Sequence, residues 1–120
     1  MIGLIFKFLN MENQVQLIGN LGMDPDSKQV NNSVKTTFTL ATNTVYKDGD
    51  GNKKTMTDWH NIIAWGGLAQ TMEQYLKKGD KIGISGRLVT RSYENAEGVK
   101  KYFTEVIAKD MLMLGGKKPE

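Results

Sequence analysis

Residue alternation of period two runs through most of this chain and gives way to helical spacing only once. That single change of period constrains the fold more than any other feature. Val15–Leu21 reads as a short strand, and Lys35–Tyr46 as a long β-rich run that carries several threonines with Phe38, Leu40 and Val45. Thr55–Trp65 is the third strand. Leu68, Met72, Tyr75 and Leu76 then follow the i, i+4, i+7, i+8 spacing of one helix face. Lys77 and Lys78 are expected in the last helical turn, where the dipole favours cations, with Gly79 ending the helix. Alternation resumes in Lys81–Arg91, where Ile82, Ile84 and Leu88 point one way and Ser85, Arg87 and Val89 the other. Val99–Lys109 is the last long strand, followed by the apolar stretch Met111–Leu114.

The punctuation between these segments is turn chemistry. Met23-Asp24-Pro25-Asp26 and Asn31-Asn32-Ser33 are turns, Lys47–Lys54 is a hairpin loop, and Ser92–Gly98 is a polar loop. Five strands with one helix between the third and fourth is the element order of an all-β OB-fold, a five-stranded Greek-key barrel. An SH3-like barrel is the alternative at this level. At 120 residues the chain is one domain long.

Composition removes several classes of function. Cysteine is absent and His60 is the only histidine, so thiolate metal sites, thiol nucleophiles and multi-histidine metal centres are excluded. No metal and no cofactor is expected. Asp48-x-Asp50-x-Asn52 opens like a calcium loop, but Lys53 stands where glycine is needed and Trp59 where the closing glutamate belongs. Asp24 and Asp26 flank a proline in a turn with no histidine nearby in sequence, and no P-loop or dinucleotide fingerprint is present. The net charge is +3, which permits a polyanionic partner without demanding one.

The N-terminal run Met1–Asn10 is too short to span a bilayer, and its lysine lies inside the run instead of ahead of it. We expect an extension over residues 1–12, a cytoplasmic protein and no membrane partner.

The chemistry concentrates on the third strand. Trp59, Asn61, Ile63 and Trp65 share one face, and His60, Ile62 and Ala64 share the other. The second set suits a tight barrel interior, which turns the tryptophans outward. Six residues separate them, about 20 Å along a strand. Tyr46 ends the second strand and Tyr93 the fourth, while Lys53, Lys54, Arg87, Arg91 and Lys101 are spread through neighbouring strands and loops. Exposed aromatics interleaved with cations suit single-stranded nucleic acid. Every base has a π-face, and each phosphate neutralised releases counterions.

These segments resemble the bacterial single-stranded DNA-binding (SSB) proteins. The resemblance rests on Val15–Gly22 with Asp24-Pro25, Phe38–Thr42, Asp58-Trp59-His60-Asn61 and Gly67–Ala69. It continues through Tyr75–Gly79, Gly86–Leu88, Thr90-Arg91 and Met113–Gly115. It covers residues 13–114 and implies an OB-fold homotetramer that binds single-stranded DNA without sequence preference, in replication, recombination and repair. The resemblance implies base stacking by Tyr46, Trp59, Trp65 and Tyr93. Tyrosine at 46 and 93 stands where tryptophan is common, and Trp65 where phenylalanine is common; each keeps a π-face. The resemblance also puts His60 near a subunit contact. The family usually ends in an acidic tail that recruits replication and repair proteins. Residues 115–120 are Gly-Gly-Lys-Lys-Pro-Glu, so that recruitment is not expected here. A primosome-type OB-fold adaptor and an OB-fold nuclease are the competing functions; the aromatic set argues against the first, and a single histidine with no carboxylates clustered on a strand face argues against the second.

Overall fold

A computed structural model describes residues 12–115. The extension expected over residues 1–12 and the tail over residues 115–120 therefore lie almost wholly outside the described residues. The described residues form six strands and one helix: β1 (Val15–Leu21), β2 (Asp26–Val30), β3 (Ser33–Lys47), β4 (Lys53–Trp65), α1 (Gly66–Tyr75), β5 (Lys81–Glu94) and β6 (Lys100–Leu114).

Their pairing closes a five-stranded barrel, because β1 and β2 act as one interrupted strand. β1 pairs with β5 over Val15–Asn20 and also meets β3 through Asn20 and Leu21, opposite Ala41 and Leu40. β2 continues along β3 from Asp26 opposite Thr37 to Val30 opposite Ser33. β3 pairs with β4 and β5 with β6, both antiparallel. A short parallel contact between β4 and β6, Ile62 with Val106 and Ile63 with Ile107, completes the ring. The OB-fold expectation therefore holds. β2 is an addition to it: Asp-Ser-Lys-Gln-Val carries no apolar alternation, and its strand character comes from lying against β3.

The interior is what the alternation dictates. Phe38 and Leu40 of β3, Ile62 and Ala64 of β4, Ile82 and Ile84 of β5, and Val106 and Ala108 of β6 form one buried cluster with Leu21. Full burial of a side chain such as Leu40 or Ile62 contributes about 1.5–3 kcal/mol. Ala69 and Met72 of α1, with Leu76 just beyond it, cap the cluster. Buried Thr36 fixes the helix, donating from Oγ1 to the Ala69 carbonyl at 2.9 Å, while Ser27 Oγ lies 2.6 Å from the same hydroxyl.

The helix is shorter than expected. Leu76 is already extended, at φ −99° and ψ 147°, so Lys77 and Lys78 lie beyond the last turn. Carboxylates hold them there: Lys77 N–H donates to Asp80 Oδ2 and Lys78 N–H to Asp24 Oδ1. Tyr75, expected on the buried face, is 55% exposed.

Both long hairpins run past the barrel as arms, which extends β4 back to Lys53 and β5 on to Glu94. Residues there are exposed on both sides, so no alternation marked these ends. The same device closes both arms. Asp48 Oδ1 accepts from the N–H groups of Asp50 and Asn52, and Asn95 Oδ1 from those of Glu97 and Val99. The would-be calcium ligand Asp48 is thus a turn former.

Closure needs two bare backbone positions. A Cβ on Gly19 would stand 2.1 Å from the Ala41 carbonyl oxygen, and one on Gly86 2.1 Å from that of Ile107. Backbone cannot move aside as a side-chain tip can. We expect Gly86→Ala to destabilise the fold by at least about 1–3 kcal/mol, the usual range for forced overpacking. Urea unfolding followed by far-UV circular dichroism checks this; an unchanged midpoint would show that the β5–β6 bulge at Ser85/Gly86 absorbs a methyl group.

Candidate nucleic-acid interface

Residues opposite one another in a ladder share a side of the sheet, so the strand register sorts the expected site residues. On β3 and β4, Lys35 lies opposite Trp65, Thr37 opposite Ile63, Thr39 opposite Asn61, Ala41 opposite Trp59 and Lys47 opposite Lys53. On β5 and β6, Arg87 lies opposite Ile107, Val89 opposite Glu105, Arg91 opposite Phe103 and Tyr93 opposite Lys101. The two ladders join where Ile63 pairs with Ile107. Trp59, Trp65, Arg87, Arg91, Tyr93, Lys101 and Lys53 thus belong to one outward-facing surface. Ile62 and Ala64, on the opposite side of β4, are fully buried.

Tyr46 and Lys54 form the exception. They pair with each other in the row that also contains Leu40 and His60. Inside the barrel that row faces the core; in the arm it faces solvent, on the reverse side from Lys53. The structure therefore separates Tyr46 and Lys54 from the tryptophan surface by the thickness of the arm. All four expected stacking residues are accessible: Trp59 is 61% exposed, Tyr93 52%, Tyr46 45% and Trp65 42%.

Trp59 lies over Gly22, in the break between β1 and β2. A Cβ at Gly22 would stand 2.3 Å from the indole Cζ3 and 2.7 Å from Thr39 Oγ1. The Gly22 N–H also donates to the Thr39 carbonyl at 2.9 Å, which fixes this seat against β3. The six-membered ring of the indole thus rests close to the Gly22 backbone while the side chain stays 61% exposed. Trp65 is arranged differently, with the Lys35 ammonium 5.7 Å from its ring centroid.

Met23, Thr37, Thr39, Asn61 and Ile63 line a groove whose other wall is Arg91, Phe103 and Glu105. Glu105 is a charged residue only 6% exposed. Arg91 compensates it through two parallel bonds, Nε to Oε1 at 2.9 Å and Nη2 to Oε2 at 3.2 Å. The Glu105 hydrogen bond, and then its charge, raise the guanidinium pKa above the ordinary arginine value. The same guanidinium lies 5.2 Å over the Phe103 ring.

Sequence reasoning missed Gly22, Lys35, Phe103 and Glu105. Outward alternation in β6 offered a signal for Phe103 and Glu105. The partners of Gly22 and Lys35 depend on register between distant strands, which no local pattern carries. His60 is half-buried at the inner end of its row, with Nε2 2.9 Å from Thr42 Oγ1. It lies on the opposite side of β4 from the tryptophans, as expected.

Comparison with known proteins agrees with this geometry. Residues 12–114 match the family described as the Single-strand binding protein family. Single-stranded DNA-binding protein 1 of Chlorobaculum tepidum is 50% identical over 107 residues, covering 88% of this chain and 66% of that protein. Its namesake in Xylella fastidiosa is 46% identical, covering 88% and 79%. The chain thus spans roughly two thirds to four fifths of the length of these relatives. The structure of a Plasmodium falciparum SSB in complex with ssDNA superposes with a TM-score of 0.80 at 33% identity, covering 85% of this chain and 94% of that one. The barrel, the outward aromatics and the matched sequence agree: this chain belongs to the single-strand binding protein family.

Proposed function

We propose that the domain over residues 13–114 binds and protects single-stranded DNA without sequence preference, in replication, recombination and repair. The observation that carries this reading is the placement of Trp59, Trp65 and Tyr93 on one barrel surface, exposed and interleaved with cations. In a duplex the π-faces of the bases are covered by their neighbours. Only an unpaired strand offers them to an aromatic platform, and every base offers one, which removes sequence preference. Trp59, Trp65 and Tyr93 stack on bases, and Arg87, Lys53 and Lys101 neutralise phosphates beside them. Tyr46 and Lys54 extend the same chemistry to the reverse of the arm, so a strand that reaches them passes round it. Stacking and charge neutralisation break no bond, and the protein acts as a binder in the cytoplasm, on the nucleoid.

The same reading includes a homotetramer. Beyond Asn20 and Leu21, the β1 edge turned toward β3 pairs with no strand among the described residues, leaving Val15–Ile18 open to a second copy. On the outer side of β1, β5 and β6, Ile18 and Leu112 are 61% and 64% exposed on either side of Gly83. An apolar patch continuous with an open strand edge suits burial between copies. His60, close to the β1–β3 contact through its partner Leu40, lies near that edge.

Intrinsic tryptophan fluorescence should be quenched as oligo-dT is added. Trp59→Ala should weaken binding by roughly 1–3 kcal/mol; an unchanged affinity would remove Trp59 from the path of the strand. Gly22→Ala pushes the indole off its seat. We expect it to weaken binding in the wild-type background and to add little to Trp59→Ala, a coupling that a double-mutant cycle by fluorescence titration reads directly. Light scattering should give about four times the 13.4 kDa chain mass. A monomer mass would end the tetramer reading and leave the binding surface untouched.

A further inference from the structure

We propose that Arg91 meets the DNA as a charge-compensated stacking plate instead of a phosphate-binding cation, with Glu105 as the positioning residue that makes it so. The inference rests on the single-stranded DNA reading above and assigns a distinct role within that surface.

Arginine offers a nucleic acid two different things, a positive charge for phosphate and a flat π-surface for a base. The surroundings of Arg91 take away the first and prepare the second. Its Nε and Nη2 both donate to Glu105, whose side chain is 7% exposed while that of Arg91 is 60% exposed. The pair carries no net charge. A phosphate approaching the guanidinium also approaches the carboxylate, so little counterion release is gained. Among the described residues, this is the one ion pair between a basic and an acidic side chain. Arg87, Lys53, Lys54 and Lys101 have no such partner there.

The geometry favours stacking. The bidentate bond fixes the plane of the guanidinium, and Phe103 lies 5.2 Å beneath it. The plate has an aromatic ring as its neighbour, and the Arg91 side chain is 60% exposed. Arginine planes serve as stacking surfaces for unpaired bases. Tyr93, one outward step along β5, lies about 6.6 Å further along the same strand, which puts a second flat surface beside the first. Asn61, Thr37 and Thr39 line the adjoining groove with polar groups.

The discriminating measurement is the salt dependence of oligo-dT affinity, because each phosphate neutralised on a single strand contributes about −0.7 to the log–log slope. Arg91→Ala alone would leave a buried carboxylate unpaired and invite misfolding. The informative variants are therefore Glu105→Gln and the double variant Arg91→Gln/Glu105→Gln, with Arg87→Gln as the comparison. Thermal melting establishes that each is folded. The double variant should bind roughly 5- to 100-fold more weakly at fixed salt with an unchanged slope, the mark of lost stacking. Arg87→Gln should flatten the slope by about 0.7. Glu105→Gln, which frees the charge of Arg91, should steepen it by about 0.7 and tighten binding at low salt.

A double variant that flattens the slope as Arg87→Gln does would make Arg91 a phosphate contact and overturn the inference. So would a double variant with wild-type affinity. If wild-type protein fails to bind oligo-dT at any salt, the functional reading falls and takes this inference with it. The first two outcomes leave that reading standing.

Discussion

Backbone lying directly on backbone is the constraint on which the rest of this molecule depends. A five-stranded barrel is narrow, and its ring closes where β1 reaches β3 and where β4 reaches β6, beside the register change between β5 and β6. Gly19 lies against the Ala41 carbonyl at the first place and Gly86 against that of Ile107 next to the second. Closure in turn turns one side of every strand inward. Leu40, Ile62, Ile82 and Val106 then have a common interior to fill. The residues between them, Trp59 and Trp65 on β4 and Arg91 and Phe103 on β5 and β6, are forced outward together. The surface proposed to bind DNA is thus the complement of the core.

The break between β1 and β2 is the second consequence of closure. The chain must leave β5, cross to β3 and continue along it. The Leu21 N–H donates to the Asp80 carbonyl, and the Leu21 carbonyl accepts from the Gly79 N–H, anchoring the crossing to the turn after α1. Gly22 then lies bare beneath Trp59. One irregularity both lets the barrel close and seats an exposed indole. The opposite outcome, a regular strand through this region, would carry a side chain at position 22 into the space the ring occupies.

What could be read from the sequence follows the same division. The core rows of β3, β4 and β5 were legible because burial on one side imposes alternation. The outward placement of Trp59 and Trp65 followed from that alternation alone. Where strands leave the barrel the signal fails: Lys53, Lys54, Ser92 and Glu94 are strand residues exposed on both sides, and they read as loop. β2 was invisible because its pairing with β3 supplies what Asp-Ser-Lys-Gln-Val lacks. The Arg91–Glu105 pair needed the β5–β6 register, which sets Glu105 opposite Val89 and one outward step from Arg91. A lone glutamate on an outward strand position otherwise reads as solvated.

Exposed aromatic surface is a hazard for any soluble protein, since large apolar patches invite association. Here the cations divide the hazard. Lys35 sits over Trp65, Arg91 over Phe103 and Lys100 over Tyr102, each within about 6 Å of the ring centroid. Each such contact contributes about 0.5–1 kcal/mol at an exposed site. Lys35 also places a positive charge where a second copy of the tryptophan surface would bring another, so face-to-face self-association is repelled there. A polyanion meets no such barrier at Lys35 and Lys100. Trp59 and Tyr93 have no cation over their rings among the described residues and are more than half exposed. The rings of the tryptophan surface are thus of two kinds: Trp65 and Phe103 lie beneath cations, while Trp59 and Tyr93 have none over them.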